Sequence, residues 1–225
     1  MTPVLIQQLT GIAVVLLWLA VVVGTALAVR HRFPAQREWS RKVVHIGTGP
    51  VVLLAWELGI ARWVALPAAI AVTLATALNH RFRLLPAVED VDRHSYGTIA
   101  YGASIAILLA LFWPDQPLAV AAGVLVMALG DGLAGLVGPQ LRTPRWRVLG
   151  QGKSLGGTLA MGGGALLVLI LLQLMARSQG IAAPTWPSLV WIALLATALE
   201  QASSFGIDNL SVPLSAGLLW QHWAH

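Results

Sequence analysis

The stretch that decides the fold is VLIQQLTGIAVVLLWLAVVVGTALAV, residues 4–29, which contains no Asp, Glu, Lys or Arg. A helix crosses the ~30 Å hydrocarbon layer of a membrane with about 20 apolar residues, so this stretch is long enough to span it. Ala26-Leu27-Ala28 is compatible with a signal-peptidase site, but no basic region precedes the apolar run, which is too long for a signal peptide. We therefore expect a retained membrane-spanning helix.

The rest of the chain continues this pattern. Of the 225 residues, 57% are hydrophobic and only 10% are charged, and the mean hydropathy is +0.77, far from the balance of a water-soluble globule. We predict further spans at 43–61, 63–79, 98–114, 117–138, 156–175 and 188–206. The apolar segment 210–223 is short for a span and is tilted, re-entrant or interfacial. The predicted fold is an all-α polytopic membrane protein with seven or eight helices, forming a single domain over residues 1–225.

Basic residues are distributed unevenly between alternate loops. If the N-terminus is outside, every Lys and Arg except Arg62 and Arg177 falls on the inner side, as the positive-inside rule requires. This asymmetry accounts for the net charge of +5 without any nucleic-acid partner. Most polar segments fall on the same side, so we expect a site that faces the cytoplasm. The chain has no cysteine, which excludes thiolate chemistry.

Asp131 is an ionisable residue within the fifth predicted span. It follows about fourteen residues of the fifth span, or about 21 Å of helix, and so lies near the inner end. A carboxylate there indicates a functional site, although an ordinary interfacial Asp is the alternative. The small residues around it favour close helix packing, close approach of a ligand to the backbone, or both. They are Gly130, Gly132, Ala134, Gly135 and Gly138.

The segment GQGKSLGG, residues 150–157, resembles the phosphate-binding loop of soluble nucleotide hydrolases. That loop requires Gly five positions before Gly152, where this chain has Arg147, and it follows a strand that we do not expect here. We instead predict a Gly-rich turn that delivers Lys153 and Ser154 to the N-terminus of a helix beginning near Leu155. Unpaired amides and the helix dipole bind phosphate at such an end. The alternative is a plain N-cap by Ser154 and a lysine that only fixes topology.

Together, MALGDGLAGLVG (127–138) and GQGKSLGGTLAM (150–161) resemble the nucleotide-binding region of the CTP-dependent polyprenol kinase family, which includes dolichol kinase and phytol kinase. Similar segments occur along most of the chain, including SRKVVHIG, HSYGTIAYG and EQASSFGIDNLSVPL. The acidic residue often found before the last Gly of the second motif is Gly156 here, and a second Gly after Gly138 is out of register. These departures from the dolichol kinase form favour the phytol kinase branch.

The resemblance implies phosphate transfer from CTP to a long-chain isoprenoid alcohol, most readily phytol, with Mg²⁺ and with membrane lipids as the surroundings. Phosphoryl transfer needs cations around the γ-phosphate and a group that positions the attacking hydroxyl. The predicted catalytic residues are Asp131, Lys153, His45 and Asp208, of which Asp131 and Asp208 are the expected metal ligands. The predicted nucleotide-binding residues are Gly130, Gly132, Ala134, Gly138, Gly152, Ser154, Gly157, Thr158, Arg41 and Lys42. Further candidates are Glu200, Asn209 and Tyr96. We assign no role to the acidic cluster of Glu89, Asp90 and Asp92.

Two other functions stay open at this point. A phosphatidate cytidylyltransferase also uses CTP and combines an Asp-containing segment with a Lys-Thr-x-x-Gly motif, but it releases pyrophosphate where a kinase releases CDP. A transporter would use intramembrane carboxylates and broken helices, although its site is expected near the midplane rather than on one face.

Overall fold

The structure, a computed structural model, describes residues 2–82 and 96–224, and it is 78% helical. The acidic cluster of Glu89, Asp90 and Asp92 lies outside the described residues. The described helices are α1 (Pro3–Arg32), α2 (Arg37–Thr48), α3 (Val51–Glu57), α4 (Arg62–Phe82), α5 (Gly97–Phe112), α6 (Pro117–Val137), α7 (Leu155–Ser178), α8 (Trp186–Ala202) and α9 (Asp208–Trp223). Two strands, β1 (Arg145–Val148) and β2 (Gln151–Ser154), form a hairpin between α6 and α7.

Four of these helices are long and apolar enough to cross a membrane: α1, α4, α6 and α7. The chain is therefore a membrane protein with a largely helical fold. The predicted span 43–61 is divided into α2 and α3 at Gly49 and Pro50, because proline lacks the amide hydrogen that a continuous helix needs. Helices α5, α8 and α9 are shorter, with 16, 17 and 16 residues, so the number of spans stays a prediction.

Helix α6 lies at the centre of the molecule. It contacts α2, α3, α5, α7 and α9, and its residues from Leu118 to Ala128 are buried. Glycine makes the approach of α9 possible, since a Cβ on Gly123 would overlap the Pro213 carbonyl and one on Gly217 would lie 2.8 Å from the Ala119 carbonyl oxygen. The apolar segment 210–223 thus lies within α9, which packs against α6, and its arrangement in the membrane stays a prediction.

The α-helical hydrogen bonding of α6 gives way to a π-helix over Val126–Asp131. Such segments are rare, and they occur frequently at functional sites because they change the direction of side chains within a helix. Here the irregular segment ends at Asp131, the carboxylate predicted near the inner end of the fifth span.

The hairpin corrects one prediction, because we expected no strand before Lys153. Strand β1 pairs antiparallel with β2, and Trp146 faces Lys153 in the register. Leu149 and Gly150 form the two-residue turn with positive φ angles of 47° and 81°, the pattern of a type I′ hairpin. The phosphate loop of nucleotide hydrolases is still excluded, since Lys153 lies within strand β2 rather than in a loop between a strand and a helix.

Candidate active site

A cavity of about 950 Å³ lies where one end of α2, α5, α6, α7, α8 and α9 meets the hairpin and the C-terminal half of α4. The structure brings most of the predicted site residues to its wall, although they come from distant parts of the sequence. These residues are Arg41, Lys42, His45, Asp131, Ala134, Gly138, Gly152, Lys153, Ser154, Gly157, Thr158, Glu200, Asp208 and Asn209.

Asp131 is held by two side chains of α2. Lys42 Nζ lies 2.6 Å from Asp131 Oδ2 and also donates to the Asp131 carbonyl at 3.1 Å, and His45 Nε2 lies 3.3 Å from Oδ2. The Lys42 side chain is only 6% exposed and that of Asp131 16%, so this is a desolvated ion pair. The end of the Lys42 side chain can lie against α6 because residue 135 is glycine, where a Cβ would overlap Lys42 Cε.

The hydrogen-bond partners of His45 fix its tautomer. Nε2 lies 3.3 Å from the Met127 carbonyl oxygen as well as 3.3 Å from Asp131 Oδ2, and both of these groups only accept hydrogen bonds. Nε2 therefore carries the hydrogen, and Nδ1 of the neutral ring is left as the proton acceptor.

Lys153 forms the second buried ion pair of the cavity, with Glu200. Its Nζ donates to Glu200 Oε1 and, at 2.7 Å, to the Glu200 carbonyl. The two side chains are 11% and 9% exposed. Gln201 Nε2 donates to the other carboxylate oxygen of Glu200 at 2.7 Å. Glu200 was predicted only as a further candidate, and the structure places it in the cavity wall beside Lys153. We call the part of the cavity that holds these charged residues the polar end.

Three carboxylates converge at this end of the cavity. One oxygen from each of Asp131, Glu200 and Asp208 lies within 4.8 Å of the others. Asp208 forms no ion pair with another described residue. Burial raises the pKa of Asp208 to about 6, and the charges of Asp131 and Glu200 act in the same direction. Carboxylates gathered in this way are ligands suited to a hard divalent cation.

The N-terminus of α7 differs from the expected phosphate site, because its first amides already have partners. Leu155 N donates to the Pro144 carbonyl at 3.0 Å, Gly156 N donates to Thr143 Oγ1 at 3.0 Å, and Gly157 N donates to the capping Ser154 Oγ at 3.1 Å. These amides satisfy the helix end internally. Phosphate binding at this end would therefore rest on side chains such as Lys153 rather than on the helix backbone.

Two of the predicted nucleotide-binding glycines do not line the cavity. A Cβ on Gly130 would lie 2.6 Å from Met161 Sδ, and one on Gly132 would overlap Ile46, so both glycines serve helix packing. Tyr96 is also absent from the cavity wall; it is 59% exposed and its ring stacks at 5.0 Å on His80.

Several residues of the cavity wall were not predicted. Arg145 and Arg147 lie on β1, and both line the cavity. Tyr101 lies on α5 and stacks on His45 with ring centroids 4.5 Å apart. Its position in SYGTIAY, four residues after Gly97 on the same helix face, was the available signal.

Comparison with known proteins gives the family. The chain is 39% identical over 203 residues to the phytol kinase of Synechocystis sp., covering 90% of this chain and 86% of that protein. It is 25% identical over 224 residues to the probable chloroplastic phytol kinase 2 of Oryza sativa subsp. japonica, covering 89% and 73%. It is 27% identical over 166 residues to the dolichol kinase EVAN of Arabidopsis thaliana, covering 67% of this chain and 29% of that protein.

No family model matches the chain, and no solved structure matches it. The names of these relatives agree with the family that the motifs around Asp131 and Lys153 suggested. The chain therefore belongs to the polyprenol kinase family, in its phytol kinase branch.

Proposed function

We propose that this protein is a CTP-dependent kinase that phosphorylates a long-chain isoprenoid alcohol, with phytol as the preferred acceptor, at the membrane interface. The observation that carries the proposal is one cavity in which three carboxylates within 4.8 Å of one another lie beside two buried lysines. Phosphoryl transfer needs this combination of metal ligands and cations around a phosphate chain.

Asp131, Glu200 and Asp208 fit a Mg²⁺ ion, because their oxygens are hard donors and Asp208 is a partly buried carboxylate beside two others. An ion bound there with the nucleotide would neutralise negative charge on the phosphate oxygens. We assign all three carboxylates as its ligands, directly or through water.

Lys42 and Lys153 are the proposed phosphate-binding cations. Each lysine is paired with one of the three carboxylates. When these carboxylates bind the metal ion, each lysine can bind a phosphate oxygen in place of its carboxylate. Arg41, whose guanidinium lies 2.8 Å from Glu38, lines the same cavity. Arg145 and Arg147 of the hairpin add positive charge at the water-exposed side, where the nucleotide would enter.

His45 is the proposed proton acceptor. The alcohol oxygen forms a bond to the γ-phosphorus, the bond between that phosphorus and the β–γ bridging oxygen breaks, and the hydroxyl proton passes to Nδ1 of His45. The products are an alkyl phosphate and CDP. Asp131 stabilises the protonated ring through its contact with Nε2.

The arrangement of the chain in the membrane is part of the proposal. With the N-terminus outside and several spans, the helix ends that line the cavity face the cytoplasm together with most of the basic residues. CTP would then arrive from water, and the alcohol would arrive from the lipid.

The proposal is tested with the purified full-length protein in detergent or lipid nanodiscs. Labelled CTP, ATP, GTP and UTP are supplied one at a time with phytol, geranylgeraniol or dolichol and Mg²⁺. We expect label from the γ-position of CTP on phytol, with release of CDP. Transfer from ATP alone, transfer from no nucleotide, or release of pyrophosphate in place of CDP would overturn the proposal.

A further inference from the structure

Part of the cavity wall, which we call the arm, is formed by uncharged residues of three helices. Each of the three helices contributes two residues that are four positions apart in the sequence. The two residues therefore lie on the same face of their helix, about one turn or roughly 6 Å apart. The side chains are apolar or carry only a hydroxyl group. They are Val44 and Thr48 of α2, Val72 and Thr76 of α4, and Tyr101 and Ile105 of α5.

Val72 marks where this arm opens. It lines the cavity and yet is 57% exposed, so it lies at the mouth of the arm rather than inside. It belongs to α4, which packs mainly on α5 and has the length and composition of a membrane span. A mouth beside such a helix opens to lipid, whereas the arginines of the hairpin border the polar end.

Tyr101 lies where the arm joins the polar end. The residue is 8% exposed, and within the described parts of the chain its hydroxyl has no hydrogen-bond partner of normal geometry. The Thr48 hydroxyl is nearby and donates to the His45 carbonyl at 3.1 Å, but it lies outside hydrogen-bonding geometry with the Tyr101 hydroxyl. A buried hydroxyl without a partner is rare, because leaving it unpaired costs about 1–3 kcal/mol. A ligand hydroxyl at this point would pair with it.

We propose that this arm is the binding site for the isoprenoid chain of the acceptor, which enters from the lipid past Val72. Its oxygen then lies between Tyr101 Oη and the ring of His45, at the boundary with the carboxylates. The inference rests on the proposed function, because it presumes an alcohol acceptor. It adds where the chain binds and which hydroxyl holds the acceptor oxygen.

The first test narrows the mouth of the arm. Val72→Trp places an indole there, and Leu74→Trp is the matched control, since Leu74 is also on α4, is 60% exposed and does not line the cavity. With Val72→Trp we expect kcat/KM for phytol to fall about tenfold or more relative to geraniol, whose chain is half as long. The KM for CTP and the phytol-to-geraniol ratio of Leu74→Trp should stay at wild-type values. An unchanged ratio in Val72→Trp would overturn the inference.

The second test does not depend on turnover. A phytol analogue with a diazirine at the end of its chain is photolysed with the full-length protein in nanodiscs without nucleotide, and labelled peptides are identified by mass spectrometry. We expect labelling of α4 and α5 around Val72 and Ile105, with loss of label when unmodified phytol is added. Labelling elsewhere, or labelling that phytol does not displace, would overturn the inference. Failure of the proposed function would appear separately, as wild-type protein that phosphorylates no alcohol.

Tyr101→Phe tests the hydroxyl alone, because it keeps the ring that packs on His45. We expect kcat/KM for the alcohol to fall about tenfold, the effect of one lost hydrogen bond, without a change in the KM for CTP. Thermal stability should be kept or raised, since an unpaired polar group is removed. Wild-type alcohol kinetics in this variant would refute the assignment.

Discussion

Variants of the ion pair between Lys153 and Glu200 can separate the structural role of Lys153 from its catalytic role. Both side chains are about one-tenth exposed, so removing only the lysine leaves a carboxylate uncompensated in a desolvated site. Breaking such a pair costs about 3–5 kcal/mol of stability. Lys153→Met should therefore lower the unfolding midpoint as well as the activity. Lys153→Met combined with Glu200→Gln removes both charges and should restore most of the stability.

The activity of the double variant should not return, for two reasons. A lost cation contact to the transferring phosphate costs about 100- to 1,000-fold in kcat, and Glu200→Gln weakens the proposed metal site. Glu200→Gln alone supplies the comparison: on our assignment it retains Lys153 for the phosphate and should lose less activity than the double variant. The measurements are transfer of labelled phosphate from CTP to phytol and thermal unfolding in the same detergent. If the double variant matches Glu200→Gln in kcat, then Lys153 serves only to neutralise Glu200.

The remaining predictions concern the metal site and the helix contact beside it. Asp131→Asn should abolish Mg²⁺-dependent transfer while leaving membrane insertion intact, and wild-type dependence on Mg²⁺ would remove Asp131 from the ligand set. Mg²⁺ or Mn²⁺ should raise the unfolding midpoint of the wild type but not of Asp208→Asn, because a ligand that binds only the folded state stabilises it; an equal shift in both would place the ion elsewhere. Gly135→Ala should displace Lys42 and reduce kcat, whereas Gly163→Ala, where a Cβ has open space, should keep wild-type activity. Equal activity of the two alanine variants would show that the close approach of Lys42 is dispensable.

The helices could be predicted from the sequence because each depends on a local property. Predicted spans at 63–79 and 156–175 correspond to α4 (Arg62–Phe82) and α7 (Leu155–Ser178), since the bilayer requires a run of apolar residues whatever the tertiary contacts are. The family was predictable for a similar reason, because its motifs are short contiguous segments, and the 39% identical relative confirms the family. Pro50 was a local signal for the break between α2 and α3, but we predicted one continuous span over 43–61.

The contacts inside the cavity could not be predicted in the same way. Lys42 and Asp131 are 89 residues apart and Lys153 and Glu200 are 47 apart, so nothing in the local pattern pairs one lysine with one carboxylate. The hydrogen-bond partners of the α7 amides could not be predicted either. Thr143, which accepts from Gly156 N, is brought to that helix end only by the fold of the β-hairpin. Gly132 looked like a ligand-contacting residue, and only the packed structure identifies Ile46 as the side chain that it accommodates.

The charges of the cavity favour joint entry of metal and nucleotide. Among the described residues, Lys42 pairs with Asp131 and Lys153 pairs with Glu200, whereas Asp208 forms no ion pair, so the three carboxylates and two lysines together carry one unbalanced negative charge. Burial and the charges of the other two carboxylates raise the pKa of Asp208. A triphosphate alone would meet carboxylates that already occupy both lysines, and like charges would repel it. A divalent cation on the carboxylates reverses that balance and makes both lysines available to phosphate oxygens. We therefore expect CTP to bind weakly without Mg²⁺ and at least tenfold more tightly with it, a coupling of about 1.4 kcal/mol or more. Equal CTP affinity with and without the ion, measured by calorimetry, would contradict this account of the site.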